Sequence, residues 1–322
     1  MKKSRGLLPR GRREVFFALS GLALVLALGC VFNADGAFFR AGTHADTLST
    51  NGAYGILACG MTVVIVCGGI DLSVGSVVAL SGVVFAMLVM NREVSGVWAI
   101  PAAVAVGGLC GLVSGCLIAF VRLQPFIATL AMMAFARGLA KWLSGGNVVT
   151  KYPYPELIES LNASASVGGF RLSVHLPVFI ACAVATLLLL RTSTKGVQIY
   201  AVGDNEEAAR YAGVPVRLVK VLAYVLSGAF AGLAGVLFCA QVRQGNPDSG
   251  VGFELTAIAM VVVGGTPLSG GRGGVCLTVL GVLTIGYLQK ILDINAVETA
   301  MQLMITAGII VLAVLAQGIR RR

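Results

Sequence analysis

Val63-Val64-Ile65-Val66-Cys67-Gly68-Gly69-Ile70-Asp71-Leu72-Ser73-Val74-Gly75-Ser76-Val77-Val78-Ala79-Leu80 decides the fold. It is the middle of a nearly continuous apolar stretch, 53–90, with none of the polar alternation of a half-buried element. A helix that crosses the roughly 30 Å hydrocarbon core of a bilayer needs about 20 such residues. The interruption Gly68-Gly69-Ile70-Asp71-Leu72-Ser73 permits two readings. Either two spanning helices meet in a tight cytoplasmic turn, which the paired glycines allow, or one helix is broken inside the membrane, as transporters break helices at binding sites. Asp71 sharpens the choice. A carboxylate within the bilayer costs about 2.5–3.5 kcal/mol on insertion scales, so it faces protein or water. One role is a cap on the helix that starts at Val74; the other is a place in a substrate path or gate. The two are compatible.

Outward from this stretch, similar runs recur at roughly 15–32, 50–68, 74–91, 99–121, 125–142, 174–190, 218–240, 252–268, 273–291 and 296–317. The expectation is an all-α polytopic bundle of about ten membrane helices. The 322 residues are 57% hydrophobic and 12% charged, about half the charge of a soluble domain. Although Met1–Val31 has the basic-then-apolar form of a signal peptide, a first spanning helix is the better reading in a chain of this kind. Trp98 and Trp142 fall at span ends, as interfacial aromatics do. Gly107, Gly111 and Gly115, and likewise Gly228 and Gly232, repeat every four residues, a spacing that lets membrane helices approach closely.

The net charge of +10 is written into topology rather than a nucleic-acid surface. With an even number of spans both termini share a side, and that side holds 16 of the 24 Lys and Arg residues. The excess sets both termini in the cytoplasm. The chain then divides into a basic cytoplasmic N-terminus (1–14), one transmembrane domain (15–319) and a basic tail (320–322). Its longest cytoplasmic loop is 192–217 and its longest external segment is 143–173.

Catalytic chemistry is poorly provided for. All eight cysteines lie in apolar runs without a C-x-x-C pair, which suits small apolar packing. His44 and His175 have no ligand at metal-binding spacing, so no metal site is expected. No phosphate-binding G-x-x-x-x-G-K-[ST] loop occurs. Two isolated histidines do not make the convergent set that a membrane-embedded enzyme requires.

Asp204-Asn205-Glu206-Glu207-Ala208-Ala209-Arg210-Tyr211-Ala212-Gly213 reads as a short capped helix, with acids in its first turn and a closing glycine. It is either a solvated connection or a surface presented to a soluble partner. Gly264, Gly265, Gly270 and Gly271, like Gly68 and Gly69, are read as structural turns. Arg137 and Lys141, at i, i+4, either snorkel to the outer interface or line a polar path, with pairing to Glu254 as one option. Glu254 itself is a helix cap or a path residue. Asn51, Gln124, Phe126 and Thr129, which offer amide, aromatic and hydroxyl groups, are candidate lining residues of a polar path.

Four motifs occur in order: Gly69-Ile70-Asp71-Leu72-Ser73-Val74-Gly75, Gln124-Pro125-Phe126-Ile127-Ala128-Thr129-Leu130, Glu206-Glu207-Ala208-Ala209 with Gly213, and Phe253-Glu254-Leu255-Thr256-Ala257-Ile258-Ala259 through Gly264 to Gly271. Together, over about 50–317, they resemble the permease subunits of bacterial ABC importers for ribose, xylose, galactose and galactofuranose. Arg272-Gly273-Gly274 departs from that pattern. The resemblance implies a multi-pass inner-membrane permease paired with a second copy or paralogue. Cytoplasmic ATP-binding subunits would hold ATP and Mg, so that this chain binds no cofactor, and a periplasmic sugar-binding protein would deliver cargo. It implies that Glu206, Glu207, Ala208, Ala209 and Gly213 form the loop that couples to the ATPase. Alternatives are an importer for a nucleoside, inositol or furanosyl signal, or an ion-coupled secondary transporter.

Overall fold

The computed structural model describes residues 10–167 and 170–319; the basic segments 1–9 and 320–322 lie outside the described residues. Helix α1 (Arg10–Val31) leads through a 3-10 turn (Ala37–Phe39) to α2 (Ala41–Thr50) and α3 (Gly52–Val66). Then come α4 (Val74–Ala86), continued by a π-helical turn to Asn91, α5 (Gly96–Ala119) and α6 (Pro125–Ser144). The segment expected outside holds α7 (Glu156–Asn162) and a ribbon of β1 (Ser164–Val167) and β2 (Phe170–Ser173), antiparallel with Val167 opposite Phe170. After α8 (His175–Thr192), two shorter helices follow, α9 (Thr194–Asp204) and α10 (Glu206–Tyr211). The chain closes with α11 (Val216–Val242), α12 (Phe253–Val263), α13 (Val275–Ile294) and α14 (Thr299–Ile319).

Each expected apolar run forms a helix, but not every run is a helix of bilayer length. Among the described residues, seven helices are long and apolar enough to cross a membrane, and α2–α3, bent by 44°, makes up to eight. The apolar helix α12, Phe253–Val263, is too short by that measure. For α12 the reason is local. Gly250 and Gly252 take left-handed φ of 74° and 82°, and the chain they turn enters the bundle before α12 begins.

Helix α11 is the central post, packed on α3, α4 and above all α5. The α5–α11 contact is backbone on backbone. A Cβ on Gly107 would collide with Gly228 O, one on Gly111 with Tyr224 O, and one on Gly228 with Gly107 O. The four-residue glycine repeats thus form one seam between these two helices, where close packing takes the place that hydrophobic burial has in water.

The stretch 67–73 combines both sequence readings. Helix α3 ends in a Schellman turn: Gly68 is left-handed (φ 86°), Gly68 N donates to Ile65 O and Gly69 N to Val64 O, both at 2.9 Å. The next residues stay non-helical as they run into the bundle. Asp71 meets Ser227, eleven positions along α11 from Val216, about 16 Å of helix. So the chain turns at one face and climbs, unwound, to mid-helix depth before α4 starts.

A candidate coupling and gating site

The acidic loop folds as its sequence indicates. Asn205 is extended and its Oδ1 accepts from Ala208 N at 2.9 Å, capping α10. At the other end Gly213 is left-handed (φ 80°), with Gly213 N bonded to Arg210 O and Val214 N to Ala209 O, both 3.0 Å. Ala209 is buried and anchors the helix, while Glu207, Ala208 and Arg210 face outward and Tyr211 is 90% exposed. Glu206 turns back to Lys220 on α11 at 2.6 Å and to Arg210 at 3.0 Å. Partial burial pushes the Glu206 carboxyl up, but Lys220 and Arg210 together outweigh it and hold it below the usual carboxylate range.

Helix α9, which precedes it, was expected only as part of a loop. Ser193 Oγ accepts from Gly196 N at 3.0 Å and starts it. Its last turn is fitted to both glycine turns of the chain. A Cβ on Gly203 would collide with Val66 O and press on Gly271 N, and one on Gly271 would meet Asp204. Gly271 N donates to Val66 O at 2.9 Å, and Tyr200 Oη to Gly273 O at 2.8 Å. Gly270, left-handed at φ 76°, packs on Gly68. The turns at Gly68–Gly69 and Gly270–Gly271, far apart in sequence, are one hub beneath α9 and α10. Gly264 packs instead on Leu277 O of α13, and Gly265 (φ 110°) ends α12.

From this hub the unwound segment leads to Asp71, which is 1% exposed. Its Oδ1 accepts from Ser73 N at 3.0 Å and Ser73 Oγ at 2.6 Å, and its Oδ2 from Ser227 Oγ at 2.8 Å. The cap expected on α4 is therefore a shorter device. Asp71 closes a turn on Ser73, and no side-chain cap bonds the first turn of α4. Tyr224 Oη reaches the preceding carbonyl, Ile70 O, at 3.4 Å, and Thr129 lies beside it, donating at 2.8 Å to Pro125 O in its own helix. At the second residue of α4, a Cβ on Gly75 would collide with Gly250 O and Glu254 Oε2. The N-terminal ends of α4 and α12 thus meet inside the bundle, bringing Asp71 and Glu254 to one region. Beside Glu254, Phe253 packs on Tyr54 (ring centroids 4.6 Å apart) and Phe238 (5.2 Å). This aromatic group was missed in the sequence, where its members lie on three separate apolar runs.

The other expected lining residues are not gathered here. Asn51 is buried between α2, α8 and α13, against Gly286. Gln124 lines a cleft with Glu206 and Arg210, and Phe126 is exposed on α6. Arg137 bonds the carbonyls of Pro247 and Ser249, and Lys141 pairs with Asp248 at 2.8 Å. Both cations therefore clamp the 244–252 loop, and among the described residues neither forms an ion pair with Glu254. No group of three metal-ligating side chains occurs among the described residues.

Residues 44–314 match the family described as branched-chain amino acid transport system / permease component. This chain belongs to that family. The permease is 38% identical over 297 residues to a ribose import permease protein of Escherichia coli K12, covering 91% of each chain. It is 39% identical over 269 residues to an L-arabinose ABC transporter permease protein of Azospirillum brasilense, covering 83% of this chain and 77% of that one. It is 36% identical over 261 residues to a D-allose transport system permease protein of E. coli K12, covering 80% and 78%. No solved structure gives a significant match. The protein is thus a multi-pass permease of the inner membrane, a translocating component rather than a catalytic one.

Proposed function

We propose that this permease is the membrane subunit of an ATP-driven monosaccharide importer and that α10 is its contact with the motor. The observation that carries this reading is the join between α10 and the hub. A short helix, capped at both ends and facing outward through Glu207, Ala208 and Tyr211, continues a helix whose Gly203 lies against both glycine turns. ATP and Mg sit on cytoplasmic ATP-binding subunits. These move α10, the hub transmits the movement, and the unwound segment with Asp71 shifts between α6 and α11. No covalent step occurs in this chain. Its relatives' names support a pentose or hexose as cargo. A periplasmic binding protein would deliver that sugar and a second permease copy or paralogue would complete the path.

In this reading α12 and α14 join the eight longer elements to give about ten transmembrane segments, with both termini and α10 in the cytoplasm. Asp71, Glu254 and Thr129 remain path and gate assignments, and Tyr54, Phe238 and Phe253 join them as faces on which a sugar ring can stack.

The test is reconstitution in liposomes with the neighbouring ATPase and binding protein, scored with ribose, arabinose and leucine. The expected result is ATP hydrolysis stimulated by a sugar-loaded binding protein and lost in Glu207→Ala while the complex still assembles. Stimulation by leucine alone would move the cargo to the class in the family's description. Uptake that follows an ion gradient without an ATPase would overturn the importer reading.

A further inference from the structure

Two unlike spaces border α5 and its connection to α6. Beside α10 is a cleft of about 780 Å³ whose charged lining is Arg122, Arg210, Arg217, Lys220 and Glu206. Glu206 is engaged by Arg210 and Lys220. Arg122 and Arg217 form no ion pair among the described residues, and the Arg217 guanidinium lies over the Phe120 ring, 5.7 Å from its centroid. Both arginines sit at ends of apolar helices, the positions where basic residues meet a bilayer's polar interface. The second space, about 470 Å³, runs between α5 and α6 and is lined by apolar side chains, among them Leu109, Val113, Leu117, Met132, Phe135 and Leu139. Arg122, in the connection from α5 to α6, stands five residues beyond Leu117, the last α5 residue to line the slot.

We propose that this groove is a binding site for an anionic phospholipid, with the phosphate at Arg122 and Arg217 and an acyl chain in the α5–α6 slot. The excess of cations selects the headgroup, since each Lys or Arg near the surface attracts an anionic lipid, and the slot offers nothing polar to a sugar or a soluble anion. An occupant that is charged at one end and apolar along its length matches both halves at once. The site lies beside Glu206 and the start of α11, so its occupancy bears on the same segment as the coupling helix. The binding claim holds whether or not the chain carries sugar.

The test is native mass spectrometry of the full chain released from nanodiscs containing phosphatidylglycerol and phosphatidylethanolamine. Wild type is expected to retain phosphatidylglycerol preferentially. Arg122→Gln and Arg217→Gln should each weaken that retention roughly fivefold. Val113→Trp, at an exposed position that tolerates a larger side chain, should abolish it by filling the slot with no change in charge. Equal retention of the two lipids, or retention unchanged in all three variants, would overturn the proposal. Displacement of the lipid by inorganic phosphate alone would reduce the site to an anion pocket. Loss of a permease dimer in Val113→Trp with lipid retention intact would make the groove a seam between copies; both outcomes contradict a lipid site.

Discussion

Two faces of α5 behave in opposite ways. On one, Gly107, Gly111 and Gly115 remove every side chain and bring the α11 backbone into contact. On the other, two residues further round, Leu109, Val113 and Leu117 project into the slot in front of α6. The first face has no room for a methyl group, and the second holds an open groove. The difference teaches where this protein can move. A seam of backbone atoms has one arrangement, whereas a cleft lined by flexible side chains can widen and close. We expect α5 and α11 to travel as one body, with α6 and the hub shifting against it.

That comparison breaks if its two faces respond alike to substitution. Gly111→Val should be the most damaging change, because its new atoms would collide with Tyr224 O; the expected loss is about 3 kcal/mol, read as a lower melting temperature in detergent. Val113→Ala, on the opposite face and half exposed, should change stability by less than about 0.5 kcal/mol.

Asp71→Ala should fall between these. It leaves the buried Ser227 hydroxyl and the Ser73 N–H without their acceptor, at a cost of about 1–3 kcal/mol. Ser227→Ala should lower stability in the same direction but by less, since two bonds from Ser73 remain. Equal effects of the two would show that the α4 turn does not depend on its own local bonds.

The smallest expected effect is electrostatic. Lys220→Met should cost no more than about 1 kcal/mol, because Glu206 is substantially exposed. The folded Glu206 carboxyl titrates below its ordinary value. The contribution of this pair is therefore present above the ordinary carboxylate range and is lost as pH falls through the lowered value. Wild type and Lys220→Met should converge in melting temperature under acid and separate near neutral pH.

Much of this was legible in the sequence for identifiable reasons. Apolar runs of bilayer length marked each span because lipid leaves a helix no other composition. Asn205, the first-turn acids and Gly213 marked α10 because capping is local. The glycine repeats announced a close approach, though not that α5 and α11 were its two sides. What stayed hidden is what long-range contact decides. Asp71 read as a cap or a path residue, and its partner Ser227 stayed hidden because it lies on another helix. Hydropathy also did not show that α12 occupies only Phe253–Val263 of its run, because it does not record where a helix starts. The hub was invisible because Gly68, Gly203 and Gly271 only acquire meaning together.

The central claim, that α10 acts on Asp71 through the glycine hub, is tested most directly by Gly203→Ala in the reconstituted transporter. Uptake and ATP hydrolysis would be measured together on a complex shown to assemble. The added methyl separates α9 from Val66 O and Gly271 without touching the outer face of α10. The expected result is hydrolysis that continues while sugar taken up per ATP falls about tenfold, the factor for roughly 1.4 kcal/mol of lost coupling. Uptake per ATP equal to wild type, in a variant that folds and assembles, would contradict the account.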